Sequence, residues 1–275
     1  MQSLRELSHP NIVKLKEIIR EQEQLYFVFE FMGENLYESV KKSQSGLSPS
    51  RVRNVMFQCL QGLAHMHRQG YFHRDIKPEN ILLKGTTVKL ADFGLAREIR
   101  ARPPFTDYVS TRWYRAPEVL LRSTSYNSPV DMFAMGCVMA ELYTAQPLFP
   151  GSSEADQIYK LAATLGTPSA ADWPEGVQLA AKMKFKWPQF QRVDLKLVLP
   201  GLPADGVSLL RDLLQFSPAK RPSAAAALQY PFFTAAIRPT RFLSTPQSAK
   251  SVSNHSLTSA ADTAAASGAG GNCMP

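Results

Sequence analysis

Hydrophobic positions change period along the chain, and the change divides it. Ile12 to Ile19 and Leu25 to Glu30 are β-rich runs on either side of the polar stretch Glu21-Gln22-Glu23-Gln24, a pattern that predicts a hairpin. Leu4 and Leu7, three apart, place the end of a helix over residues 1–8. From residue 35 onward the period is mainly helical. Ser48-Pro49 supplies an N-cap and a proline at the first helical position. Val52, Val55, Met56, Cys59, Leu60, Leu63 and Met66 then follow one helical face as far as Gly70, which predicts the stop. Ser128-Pro129 repeats the start signal ahead of a second, buried helix carrying Phe133, Cys137, Val138 and Leu142. Short strands are expected at Ile81–Leu83 and Val88–Leu90. Further helices are expected near 153–165, 207–215 and 223–229, the last opened by Ser223. The pattern predicts a mostly helical body preceded by a two-stranded piece.

Composition narrows the function classes. The 275 residues are 44% hydrophobic and 20% charged, a globular balance. The most apolar stretch, Val130 to Tyr143, is interrupted by Asp131, Gly136 and Glu141 and predicts no membrane span. The first ten residues lack the apolar core of a secretory signal. Cys59, Cys137 and Cys273 are odd in number and without metal spacing, as in a reducing, cytoplasmic setting. The net charge of +8 keeps nucleic-acid binding as a rival, but no recognised binding motif accompanies it, so no nucleic-acid or membrane partner is expected. From about Pro239 the chain is Ser, Ala and Gly with almost no apolar mass, and residues 236–275 read as a disordered tail.

Three motifs carry chemistry, in order. His73-Arg74-Asp75-Ile76-Lys77-Pro78-Glu79-Asn80 is followed by Asp92-Phe93-Gly94 and then by Ala116-Pro117-Glu118. They match H-R-D-x-x-x-x-N, D-F-G and A-P-E. Over roughly residues 1–235 the chain resembles a eukaryotic protein kinase. Thr106-Asp107-Tyr108 followed by VSTRWYRAPEVLL, together with LYFVFEFMGENLY and LGTPSAADWPEGVQLA, narrows the likeness to the cyclin-dependent/MAP-kinase superfamily. Within that superfamily it is similar to the male-germ-cell-associated and intestinal-cell group of ciliary kinases.

That resemblance implies an α+β, protein-kinase-like fold: a mostly helical C-lobe at 32–235 and an incomplete N-terminal sheet lobe at 1–31. It implies ATP and Mg²⁺ as cofactors, protein Ser/Thr substrates, proline-directed specificity and an upstream activating kinase. The implied location is cytoplasmic, with the cilium or nucleus as further sites. Asp75 would accept the substrate hydroxyl's proton, Lys77 would lie near the γ-phosphate, and Thr111 would bridge the two. Asn80 and Asp92 are hard oxygen ligands suited to Mg²⁺. Phe29 resembles the gatekeeper, and Glu30 to Met32 the hinge that meets adenine. Asn35 would lie at the ribose edge, with Leu82 and Ala91 as pocket floor. Thr106 and Tyr108 would be regulatory phosphosites, with Arg74, Arg97, Arg112 and Arg115 as receivers. Glu118 with Arg221 resembles a buried ion pair, and His73 a structural residue. Asp131 resembles the brace of the catalytic loop, with Phe133 where a tryptophan is usual.

The likeness has one gap. No glycine-rich G-x-G-x-x-G loop and no V-A-I-K-type lysine occur in the 275 residues, and Met1 aligns just after the glutamate that would pair with that lysine. Two expectations follow: a Ser/Thr kinase segment lacking its upstream lobe and inactive by itself, or a catalytically dead kinase-like binding module.

Overall fold

The computed structural model describes residues 7–101 and 111–235. Residues 1–6 of the helix end expected over 1–8, Thr106, Tyr108, Cys273 and the tail at 236–275 lie outside them, and residues 7 and 8 are not helical.

The hairpin forms where polarity interrupts the two β-rich runs. β1 (Leu15–Glu21) pairs antiparallel with β2 (Gln24–Phe29), Glu21 facing Gln24. Gln22 and Glu23 both have positive φ, 46° and 65°, the backbone that a two-residue hairpin turn demands. Three very short strands escape the sequence pattern: β3 (Glu34–Asn35), β4 (Tyr71–Phe72) and β7 (Arg97–Glu98). The predicted pair becomes β5 (Ile81–Lys84) and β6 (Thr87–Leu90). Sheet order is β3-β5-β6, while β4 pairs with β7.

Helix α1 (Leu36–Ser43) follows β3 directly. Helix α2 (Pro49–Arg68) starts as its sequence predicts, the Ser48 hydroxyl accepting from Arg51 N, and ends just before Gly70. Gly62 lets α2 approach the sheet closely, because a Cβ there would stand 2.9 Å from the carbonyl oxygen of Asn11 and 3.1 Å from Leu90. Helix α3 (Pro129–Thr144) is buried from Val130 through Tyr143. Its start departs from expectation. Ser128 is itself helical and gives no side-chain cap, since the turn begins at Asn127, whose carbonyl accepts from Val130 N.

Helix α4 (Glu154–Leu165) lies where periodicity puts it. Helix α5 (Pro174–Lys182) was not foreseen, and α6 (Ala204–Leu213) begins three residues early, directly after Pro203. The helix expected over 223–229 shortens to the single turn Ala224–Ala227, capped by Ser223. Among the described residues no helix is long and apolar enough to cross a membrane.

Candidate functional site

The segment after β4 is held in a strained shape by a helix more than fifty residues away. Arg74 has φ 74°, costly for a residue with a side chain. The Asp131 carboxylate stabilises that shape by accepting from the backbone nitrogens of His73 and Arg74, both at 2.8 Å, and from His67 Nε2 at 2.8 Å. Burial by itself would raise the Asp131 carboxyl, but the hydrogen bonds from His67 and His73 hold it below its ordinary value. Both ring nitrogens of buried His73 are also engaged, Nε2 with the Ala91 carbonyl at 2.9 Å and Nδ1 with Asp75 N at 3.3 Å. Burial lowers its pKa and keeps the ring neutral. The Arg74 guanidinium reaches the Tyr126 hydroxyl and the Leu95 carbonyl, tying the segment to the one after Asp92.

Asp75 stands at the centre of the polar contacts. Its Oδ2 accepts from Lys77 Nζ at 2.8 Å and from Asn80 Nδ2 at 2.9 Å, and Asn80 Nδ2 also donates to the Asp75 carbonyl at 2.8 Å. The Lys77 contact is direct. Thr111, expected as a bridge, is exposed and lines a cavity of about 20 Å³ beside Asp75, room for about one water. The one-turn helix Pro78–Asn80 leads into β5, and the Asn80 carbonyl accepts from Ala91 N at 2.9 Å. That bond seats the Asp92 segment against the Asp75 loop. Asp92 is left-handed at φ 61°, exposed, and accepts weakly from Gly94 N at 3.3 Å.

A cavity of about 390 Å³ opens beside this cluster. Phe27, Phe29 and Glu30 line it from the hairpin, and Leu82, Ala91 and Asp92 from below. Five residues expected around a nucleotide (Phe29, Glu30, Leu82, Ala91 and Asp92) therefore share one cavity. The other two do not line it. Met32 is buried within the segment after the hairpin, and Asn35 caps α1, its Oδ1 accepting from Glu38 N at 2.8 Å.

The donor set can be tested against a divalent ion. Asn80's amide nitrogen is occupied by Asp75, which leaves its carbonyl oxygen as the remaining acceptor, and the Asp92 carboxylate faces the cavity. Among the described residues no three His, Cys, Asp or Glu side chains converge on one point. Two oxygen side chains without a cage suit Mg²⁺ that arrives with phosphates and keeps several waters. The residues fit that ion.

Helix α3 carries two buried acids, one expected from the resemblance as a brace and the other read from sequence only as an interruption of an apolar run. Asp131 is the brace described above. Glu141 accepts from the Tyr114 hydroxyl at 2.7 Å. Burial pushes its carboxyl up from 4.5 to about 7, opposed by the Tyr114 hydrogen bond and aided by the charge of Glu79. The folded state therefore binds this proton more tightly than the unfolded chain does. The stabilisation is complete below about pH 4.5 and is lost as pH rises through about 7. We expect Glu141→Gln to stabilise the chain at pH 8 by on the order of 3 kcal/mol and to flatten stability across that window. Denaturant titrations at pH 5 and pH 8 check this; equal pH slopes for both proteins would refute it.

The protein kinase domain family matches residues 1–233. The chain is 59% identical over 234 residues to serine/threonine-protein kinase ICK of Mus musculus, covering 85% of this chain and 37% of that protein. It is 54% identical over 234 residues to serine/threonine-protein kinase MAK of Homo sapiens, covering 85% and 38%. Cyclin-dependent kinase F-4 of Oryza sativa subsp. japonica is 54% identical over 233 residues, covering 85% and 51%. The chain thus spans between about a third and a half of the length of these relatives. With the ordered motifs, the α+β architecture and these matches together, the chain belongs to the protein kinase family and is related to its serine/threonine kinases.

Proposed function

We propose that this chain carries the catalytic centre of a protein serine/threonine kinase, which moves the γ-phosphate of ATP to a protein hydroxyl. The observation that carries the reading is the Asp75 carboxylate, fixed by Lys77 and Asn80 and seated by the Ala91–Asn80 bond next to Asp92 at a nucleotide-sized cavity. Asp75 orients the acceptor hydroxyl and takes its proton. Lys77, within reach of the same oxygen, neutralises charge on the transferring group. Asn80 and Asp92 would hold Mg²⁺, which when bound neutralises phosphate charge. The backbone of Glu30 to Met32 meets adenine, Leu82 and Ala91 floor it, Phe29 closes the back, and Asn35 at the head of α1 faces the ribose side. Thr111 helps to position Asp75 from the neighbouring pocket.

The likeness to the ciliary kinase group extends the proposal to proline-directed sites, an upstream activating kinase, and action in the cytoplasm, cilium or nucleus. It also extends to a switch at Thr106 and Tyr108, whose phosphates Arg74, Arg97, Arg112 and Arg115 would receive. We divide the chain as an N-lobe portion at 1–31, a C-lobe at 32–235 and a tail at 236–275.

The test is a chimera that carries a glycine-rich loop and an anchoring lysine on added strands ahead of this chain. Asp75→Asn should lower its phosphotransfer to a Ser/Thr peptide by about 10²–10⁴-fold. Full activity in that variant would refute the role, and an unchanged rate in Thr106→Ala/Tyr108→Phe would remove the switch. A second reading, a kinase-like binding module without activity, is favoured by one feature: the 275 residues contain no glycine-rich loop and no anchoring lysine for the phosphates.

A further inference from the structure

The first hinge residue is tied at once to the segment entering β1 and to β6. Glu30 N donates to the Lys14 carbonyl at 2.9 Å, and Glu30 Oε1 accepts from Lys14 N at 2.7 Å and from Lys89 Nζ at 2.6 Å. Lys89 and Glu30 are fifty-nine residues apart in sequence, and their side chains are only 15% and 24% exposed. An exposed ion pair would contribute little. This one is withdrawn from water and shares its acceptor oxygen with a backbone donor. Burial tends to raise the Glu30 carboxyl, and the hydrogen bonds from Lys89 and Lys14 hold it below its ordinary value.

The place of Lys89 gives the contact its meaning. On β6 it faces Leu82 of β5, which floors the cavity, and two residues later the same strand becomes Ala91 and Asp92 in the cavity wall. Glu30 and Phe29 form the opposite wall. The ammonium group thus spans from the floor strand to the hinge and sets the distance between the two walls.

We infer that Lys89 is a positioning residue that holds the Glu30 hinge at the height where its backbone can meet a purine. This rests on the reading of the cavity as the nucleotide site. Adenosine is the probe, because it lacks the phosphates whose anchors this chain does not contain.

In the full 275-residue chain, Lys89→Met should weaken adenosine binding by about five- to tenfold, and Lys89→Arg should restore most of it. Chemical-shift titration gives the affinities. Hydrogen exchange at the Glu30 amide should quicken in Lys89→Met, with the melting temperature little changed. Equal adenosine affinity in Lys89→Met and wild type, or unchanged exchange at Glu30, would overturn the role of Lys89. A wild type that binds no adenosine at millimolar concentration would overturn the nucleotide site itself, and the exchange measurement tells that failure from a failure of the strut.

Discussion

Replacing Arg221 with methionine should destabilise the chain by on the order of 3–5 kcal/mol, the loss expected when one partner of a buried ion pair is removed. The Arg221 side chain is fully buried and the Glu118 carboxylate almost so. The guanidinium meets Glu118 in a two-pronged contact, both bonds 2.7 Å, and its remaining hydrogens go to the carbonyls of Gln215, Phe216 and Pro129 at 2.8–2.9 Å. Its Cζ lies 5.0 Å from the centre of the Phe133 ring, within reach of a cation–π contact. Methionine fills similar volume but leaves a carboxylate and the carbonyls of Gln215 and Phe216 without donors in a low-dielectric interior. Lysine should recover only a small part, because a single ammonium cannot reproduce a planar fork. Adding Glu118→Gln to Arg221→Met should return part of the loss by removing the stranded charge. Urea denaturation midpoints decide: a loss under about 1 kcal/mol would show that water enters the site and supplies the missing bonds. Because Glu118 lies in the first turn of the helix Pro117–Leu120, shortly after Thr111–Arg115, the same substitution should loosen the segment beside Asp75.

What could be read from the chain beforehand was what neighbours in sequence determine. Helix α2 declares itself through a capping serine, a proline and an unbroken apolar face. The motifs at Asp75, Asn80 and Asp92 carry their chemistry within twenty residues. The β3, β4 and β7 strands are two residues each and exist only because a distant segment supplies the partner, as Leu82 and Leu83 do for β3. Ser128 looks like a cap, yet the preceding turn already provides the first helical bonds, and the local rule gives way to tertiary context. Asp131 and Glu141 interrupt an apolar run, and a window average counts them only as polar; the resemblance alone marks Asp131 as a brace, and nothing marks Glu141. Their partners, His67 and Tyr114, lie 64 and 27 residues away, beyond any local pattern. Asn35 was read by its likeness to a ribose contact, and the structure shows the nearer demand on its side chain, the first turn of α1. Lys89 carried no signal at all: in sequence it is one cation in a short strand.

A polypeptide of these 275 residues should bind Mg-ATP weakly, transfer no measurable phosphate and associate with itself through the hairpin. A strand with one covered face alternates between buried and exposed, but every residue of β2 is exposed. Leu25, Tyr26, Phe27, Val28 and Phe29 are each between 37% and 48% accessible, and Phe31 just beyond them is 81% accessible. Among the described residues β2 pairs only with β1, so its outer edge presents unpaired backbone groups beside a contiguous apolar surface. The same exposure governs the chemistry. Phe27 and Phe29 line the cavity that faces Asp92, and with water on their far side the local dielectric is high, which weakens charge–charge terms that an enclosed site would strengthen. Neither a glycine-rich loop nor an anchoring lysine is present in the sequence to hold the phosphates. Calorimetry with Mg-ATP, a radiolabel transfer assay and sedimentation at several concentrations test the three parts together. Phe27→Lys with Val28→Glu should return the chain to monomer, because charge on both faces of an open strand blocks edge-to-edge pairing. Micromolar nucleotide affinity with ordinary turnover in a monomer would overturn the whole account, since it would mean that Asp75, Asn80 and Asp92 suffice under an open roof.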